Sequence, residues 1–322
     1  MQERALPADT PLIGDVREAS LRIGGKIHQT PVMTSSGLDD LFGGRVYFKC
    51  ENLQRIGAFK ARGAINAVFS LTDEEAAKGV ATHSSGNHGS ALALAASLRG
   101  IPAWVVVPDN APAIKEDCIR RYGATVVPCK PGQENRERGL ATIARETGAA
   151  IVHPYDDWRV IAGQGTAALE LLGQVPDLDV LLTPVGGGGL ISGTAIVAHG
   201  IDRDIRVIGC EPERADDAQQ SLRAGHQVVI DLPDTIADGL RAMLGDRNFA
   251  VISSLVEDIV TVSEDHIIAA MRLVWERLKI VIEPSAAVPV AALLSGAFKL
   301  DGQAAGVIIT GGNVDLDSLP WM

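Results

Sequence analysis

The chain has 322 residues, 46% hydrophobic and 21% charged, which is ample apolar material for one large core or two ordinary ones and excludes disorder. Its 29 Lys and Arg against 40 Asp and Glu leave a net charge of −11. That balance excludes nucleic acid and anionic membrane as partners and asks how any phosphorylated ligand is held.

Short apolar runs recur along the chain as candidate buried strands: Val46–Cys50, Gly79–Ser84, Ala103–Pro108, Ala124–Pro128, Ala150–His153, Val180–Val185, Val207–Cys210, Ile259–Val262 and Gly306–Thr310. Helical segments lie between them. Leu92–Leu98 is rich in Ala and Leu, and Ile267, Met271, Val274 and Leu278 share one helical face. The alternation predicts an α/β fold with parallel-rich sheets covered by helices. The N-terminal MQERALPADTPLIGD has no apolar signal core, and no apolar run reaches the roughly 18 residues of a membrane span. Cys50, Cys118, Cys129 and Cys210 show no CxxC spacing, so a soluble cytoplasmic protein without zinc or disulfides is expected.

In such folds ligands bind at the carboxyl ends of strands, where four segments stand out. In Glu51–Ala64, ENLQRIGAFKARGA, Lys60 is crowded by Phe59 and small residues. An apolar setting favours a neutral amine able to form a Schiff base; the plain alternative is a surface lysine reaching for water. Thr82–Gly89, THSSGNHG, sets Ser84, Ser85, Asn87 and His88 at a helix start, either as simple caps or as a carboxylate-binding loop. Thr183–Gly193, TPVGGGGLISG, follows a strand and opens a helix, which suits a phosphate cup of backbone amides better than a flexible linker. It matches neither the GxGxxG nor the Walker pattern. In Gly306–Asp315, GVIITGGNVD, Thr310 places a hydroxyl at a strand end. An amine, an anion loop, a phosphate cup and a hydroxyl for a ring nitrogen together describe a site for pyridoxal phosphate and an amino acid.

GAFKARGA, SSGNHG, GGGGL and TGGN, in this order, resemble the fold type II pyridoxal-phosphate enzymes, in the branch of serine/threonine dehydratases, serine racemase and 3-hydroxyaspartate dehydratase, from about Thr30 to Asp315. The resemblance implies two domains, with residues 73–155 as a smaller mobile one and 1–72 plus 156–322 as the larger. It implies that Lys60 carries the cofactor, Phe59 lies against its ring and Asn87 bonds its phenolic oxygen. Gly186, Gly187, Gly188, Gly189 and Leu190 would hold the phosphate, and Thr310, where the branch more often has Ser, would face the ring nitrogen. Ser84, Ser85, Asn87 and His88 would bind the substrate carboxylate, with Ser85 also an acid/base on the face opposite Lys60. Glu211 and Asp217, with the carbonyl of Ala215, would hold Mg²⁺, or Ca²⁺ or Mn²⁺; a solvated acidic helix start is the alternative.

Arg136 corresponds to an arginine that reaches a distal carboxylate in the racemase branch, so a dicarboxylic substrate is expected; a solvated arginine beside Glu134 and Glu137 is the alternative. Ala242 replaces the racemase serine, which turns the expectation from racemisation towards dehydration of 3-hydroxyaspartate, with serine and threonine as lesser substrates and serine or aspartate racemisation as the rival. A silent amino-acid-binding protein on the same scaffold is the rival outside enzymes. The chain ends soon after TGGNVD, so no isoleucine-responsive domain is expected, and a homodimer is.

Overall fold

A computed structural model describes residues 6–110, 113–201, 204–231 and 233–322; the first five residues of the N-terminal segment read above lie outside them. The strands are β1 (Val32–Met33), β2 (Arg45–Cys50), β3 (Val80–His83), β4 (Ala103–Pro108), β5 (Thr125–Cys129), β6 (Ala150–Ile151), β7 (Val180–Pro184), β8 (Arg206–Pro212), β9 (Asp258–Val262) and β10 (Ala304–Ile309). They form a six-stranded sheet, β1-β2-β10-β7-β8-β9, and a four-stranded one, β5-β4-β3-β6. Among the strands of the described residues only the β1–β2 pair is antiparallel. The nine strands expected from the sequence are present within a few residues.

Alternation along each strand explains why both faces of the large sheet are covered. Val180 and Leu182 point to one side, against the helices Glu264–Leu278 and Pro284–Ser295. Leu181 points to the other, against Trp158–Gln174 and Gly189–Gly200. The expected stripe of Ile267, Met271, Val274 and Leu278 is buried in the first of these layers. In the small sheet Val80, Val105 and Val107 pack under Leu92 of the helix Asn87–Arg99, while Ala81 and Val106 meet Leu140 and Ile143 of Gln133–Thr147.

Two features fix the helix Lys60–Phe69 that begins at the candidate lysine. It crosses Trp158–Gln174 so closely that a Cβ at Gly163 would lie 2.6 Å from the Gly63 Cα. Arg62, 1% exposed, then ties it to a buried charge network. Its Nε and Nη2 each donate to Glu51 at 2.7 Å, and Nη2 also bonds Glu170. Lys49 Nζ completes the set, donating to the Thr30 carbonyl at 2.8 Å and lying 3.4 Å from Glu170. Two cations face two anions there, so no net charge is left in the interior.

Candidate cofactor and substrate site

Each expected loop lies at the carboxyl end of its strand. Lys60 follows β2 through a tight turn in which Ile56 has φ 59°, a left-handed conformation that is costly for a β-branched residue. The strain has visible support: Asn313 Nδ2 donates to the Ile56 carbonyl at 2.7 Å, and Phe59 N donates to the Thr310 carbonyl at 2.9 Å. Lys60 itself is half-buried and donates from Nζ to the Pro154 carbonyl at 2.8 Å, with Nζ 5.2 Å from the Phe59 ring centroid. Burial lowers the ammonium to about 8, against the attraction of the Glu283 carboxylate. A lysine so placed is neutral in a usable fraction near neutral pH, as a nucleophilic amine requires.

The loop Ser84–Gly86 joins β3 to the helix Asn87–Arg99, as expected. Ser84 Oγ accepts from Gly86 N at 3.3 Å, and Ser84 and Ser85 are both half-buried. Asn87 is part of a wider network. Its Nδ2 donates to both Glu283 oxygens, at 3.0 and 3.2 Å, and its Oδ1 accepts from Asn313 at 2.8 Å. His88 turns inward: its Nε2 lies 3.2 Å from the Val152 carbonyl and must carry the proton. Burial and the Lys60 charge keep the ring neutral, so Nδ1 presents a lone pair and offers no N–H to an anion.

The four glycines follow β7 and open the helix Gly189–Gly200, with Gly188 at φ 94°. They are required by contact as well as by that angle. A Cβ at Gly187 would lie 2.5 Å from Tyr155 Cδ1 and nearer still to Cγ and Cδ2, and one at Gly188 would lie 2.6 Å from Asn248 Cβ. Leu190 is buried in the same turn. Thr310, 3% exposed at the end of β10, has an Oγ1 with no partner among the described residues. A buried hydroxyl left unbonded, a turn of free backbone amides and a depressed lysine are what pyridoxal phosphate would engage through its ring nitrogen, phosphate and aldehyde. These residues fit that group.

Arg136 sits on the helix Gln133–Thr147, and its Nε is buried without a partner among the described residues. Among the described residues Glu134 pairs with Arg138, and no ion pair joins Arg136 to Glu134 or Glu137. Its charge acts instead on His83 and Tyr155 at the cleft.

Glu211 and Asp217 lie beyond this cleft. Glu211 accepts from Gln219 N at 2.8 Å and Ala218 N at 3.3 Å, and Asp217 accepts from Leu244 N at 2.8 Å. Burial, with the neighbouring Asp217 charge, pushes Glu211 well up; burial pushes Asp217 to about 6. Two buried carboxylates near the carbonyl-bearing Ala215 suit a hard cation, although no group of three acidic, His or Cys side chains is placed for a metal among the described residues. The next residue after Leu244 touches the cup, with Gly245 N donating to the Gly187 carbonyl at 3.2 Å.

Glu283, Asn313, Tyr155 and His153 were not expected from the sequence. Asn313 lay in the TGGN motif without a role of its own, and Glu283 carried a local signal as an acidic residue before a proline that opens a helix.

The whole-chain comparisons agree with this geometry. Residues 23–311 match the family model described as "Pyridoxal-phosphate dependent enzyme". The β-hydroxyaspartate dehydratase of Paracoccus denitrificans is 51% identical over 311 residues, covering 97% of this chain and 99% of the relative. The serine racemase of Arabidopsis thaliana is 50% identical over 309 residues, covering 94% and 93%. The structure of maize serine racemase superposes with a TM-score of 0.94 at 46% identity, over 96% of this chain and 95% of that one. The chain belongs to the pyridoxal-phosphate dependent enzymes, in the branch that holds serine racemases and 3-hydroxyaspartate dehydratases.

Proposed function

We propose that this enzyme is a lyase that dehydrates a β-hydroxy amino acid, 3-hydroxyaspartate first and serine and threonine less well. The observation that carries the choice of a dicarboxylic substrate is the inward Arg136, with its buried and unpartnered Nε. A buried Nε–H with no acceptor among the described residues suits one that the substrate brings. The 51% identity to a β-hydroxyaspartate dehydratase supports the same choice.

Lys60, Phe59, the Gly186–Leu190 turn and Thr310 would hold pyridoxal phosphate. When bound, that group withdraws electrons from the substrate Cα and so makes its proton removable. Lys60 Nζ, lowered by burial to about 8 and so available as the free amine in a usable fraction near neutral pH, would take the α-proton. The amides at the start of Asn87–Arg99, with Ser84 and Ser85, hold the α-carboxylate, and Arg136 holds the distal one. Asn87, held by Glu283 and Asn313, would bond the cofactor's phenolic oxygen. Thr310 would offer a hydroxyl, not a carboxylate, to the ring nitrogen, which does not favour ring protonation and would suit β-elimination. The released enamine tautomerises to iminosuccinate, and its hydrolysis consumes water and gives oxaloacetate and ammonia. Residues 73–155, which carry the small sheet, are the part we expect to close over the substrate. We place Mg²⁺, Ca²⁺ or Mn²⁺ at Glu211, Asp217 and the Ala215 carbonyl; chelation should then lower the melting temperature, and no change would remove these residues from the site.

Serine racemisation is the second reading, favoured by the 50% identity to a serine racemase and by Ser85 in the carboxylate loop. Turnover in deuterated water separates the two. Keto acid formation outrunning inversion of the remaining substrate is expected; rapid inversion with little keto acid would sink the dehydratase reading.

A further inference from the structure

Three rings line the interior between the serine loop and the glycine turn. His83 ends β3 immediately before Ser84, and its ring stands edge-on to His153 with centroids 5.7 Å apart. His153 in turn stands edge-on to Tyr155 at 4.6 Å, and the Tyr155 ring lies directly against Gly187. Lys60 Nζ bonds the carbonyl of Pro154, between the second and third rings of this row.

His153 is engaged at Nδ1, which accepts from Asp156 N at 2.9 Å. His83 is not. It is only 5% exposed, yet its Nδ1 has no partner among the described residues. A buried imidazole nitrogen left unbonded costs free energy, and so does the Arg136 Nε, which is left in the same state. The two are electrostatic neighbours, since the Arg136 charge adds to burial and to His153 in holding His83 near 4. His83 is therefore neutral at working pH and can present Nδ1–H without adding charge. Helix Gln133–Thr147 carries Glu137 beside Arg136, but Glu137 is exposed and pairs with Gln133 at 2.7 Å.

We propose that His83 is a specificity-determining residue: its Nδ1–H and the Arg136 guanidinium together receive the distal carboxylate of a dicarboxylic substrate. This rests on the dicarboxylate reading above. One oxygen-rich group satisfies both unpartnered nitrogens, whereas serine and threonine carry no acceptor of that charge. Arg136 supplies the attraction. His83 adds a second, directional donor, since its Nδ1 has no other partner among the described residues.

The test uses the holoenzyme with His83→Phe, which keeps a ring against His153 and removes the nitrogen, and with His83→Asn, whose amide returns an N–H near Nδ1. Two non-reacting probes, tartrate and glycerate, replace the amine of 3-hydroxyaspartate and serine by a hydroxyl and differ only in the distal carboxylate. Calorimetric affinities for both probes are measured alongside kcat/KM for both amino acids. The tartrate-over-glycerate ratio, and the 3-hydroxyaspartate-over-serine ratio, should each fall by roughly tenfold or more in His83→Phe and largely recover in His83→Asn. Unchanged ratios in His83→Phe, or equal loss in both variants, would overturn the role of His83 while leaving the dicarboxylate reading intact. A wild-type enzyme that binds glycerate as well as tartrate and prefers serine would overturn both.

Discussion

Gly187→Ala tests the cup through one methyl group. The new Cβ would lie 2.5 Å from Tyr155 Cδ1, with Cγ and Cδ2 nearer still, so the methyl points at the face of the ring. Ordinary carbon contacts lie near 3.5 Å, and the ring would have to withdraw by about 1 Å. It is poorly able to do so, because His153 stands edge-on to it at 4.6 Å and Asn248 Nδ2 holds the Tyr155 carbonyl at 3.1 Å. Overpacking of this kind costs about 1–3 kcal/mol. Part of that cost falls on the backbone of the turn itself, whose amides are the proposed phosphate donors. Calorimetric melting of the cofactor-free protein should drop by a few degrees, and cofactor affinity, followed by the absorbance of its link to Lys60, should weaken by tenfold or more. Removing the ring as well, in Tyr155→Ala/Gly187→Ala, makes room for the methyl and should recover on the order of 1 kcal/mol of coupling. A Gly187→Ala protein with wild-type melting and affinity would refute the close packing, and so would strict additivity in the double variant.

Replacing Arg62 by Met leaves Glu51, which is fully buried, without its guanidinium partner. Breaking a buried pair in this way should cost about 3–5 kcal/mol in urea unfolding; a loss below about 1 kcal/mol would contradict the network described here. The acid limb of stability follows from the histidines. His83 and His153 are each lowered from 6.5 to about 4, chiefly by burial, so the folded protein prefers both rings neutral. Their contribution is intact above pH 6.5 and is lost as pH falls towards 4, where the unfolded chain takes up protons that the folded one resists. For the nearly fully buried His83 the loss amounts to roughly 3 kcal/mol at the low end of that window. Unfolding of His83→Phe between pH 7 and 4 should show a shallower slope than wild type, and identical slopes would refute this account.

Strand positions were legible because each is an apolar run long enough to show its character. β1, two residues long and paired antiparallel at a sheet edge, has no periodicity to detect. Lys60, the serine loop, the glycine turn and Thr310 were legible for a different reason: each is a short motif next to a strand end, and fold geometry brings strand ends together. Their partners were not. Glu283 reaches Asn87 across 196 positions, and Asn313 reaches Ile56 across 257. No local pattern announces such contacts. Arg62 and Glu51 sat inside a segment already singled out, yet their pairing required the helix to turn Arg62 inward. His83 and Tyr155 looked like ordinary strand-end and loop residues until the rings were seen in one row with Arg136 at its side.

On the function proposed above, Lys60 and Arg136 serve one reaction, dehydration of a dicarboxylic β-hydroxy amino acid. The most direct measurement is kcat/KM of the holoenzyme for keto acid formation from serine, threonine and each 3-hydroxyaspartate isomer, repeated with Arg136→Ala. One 3-hydroxyaspartate isomer should lead in the wild type, and Arg136→Ala should erase most of that lead by weakening this substrate far more than serine. Serine or threonine leading in the wild type, or Arg136→Ala reducing all substrates equally, would contradict it.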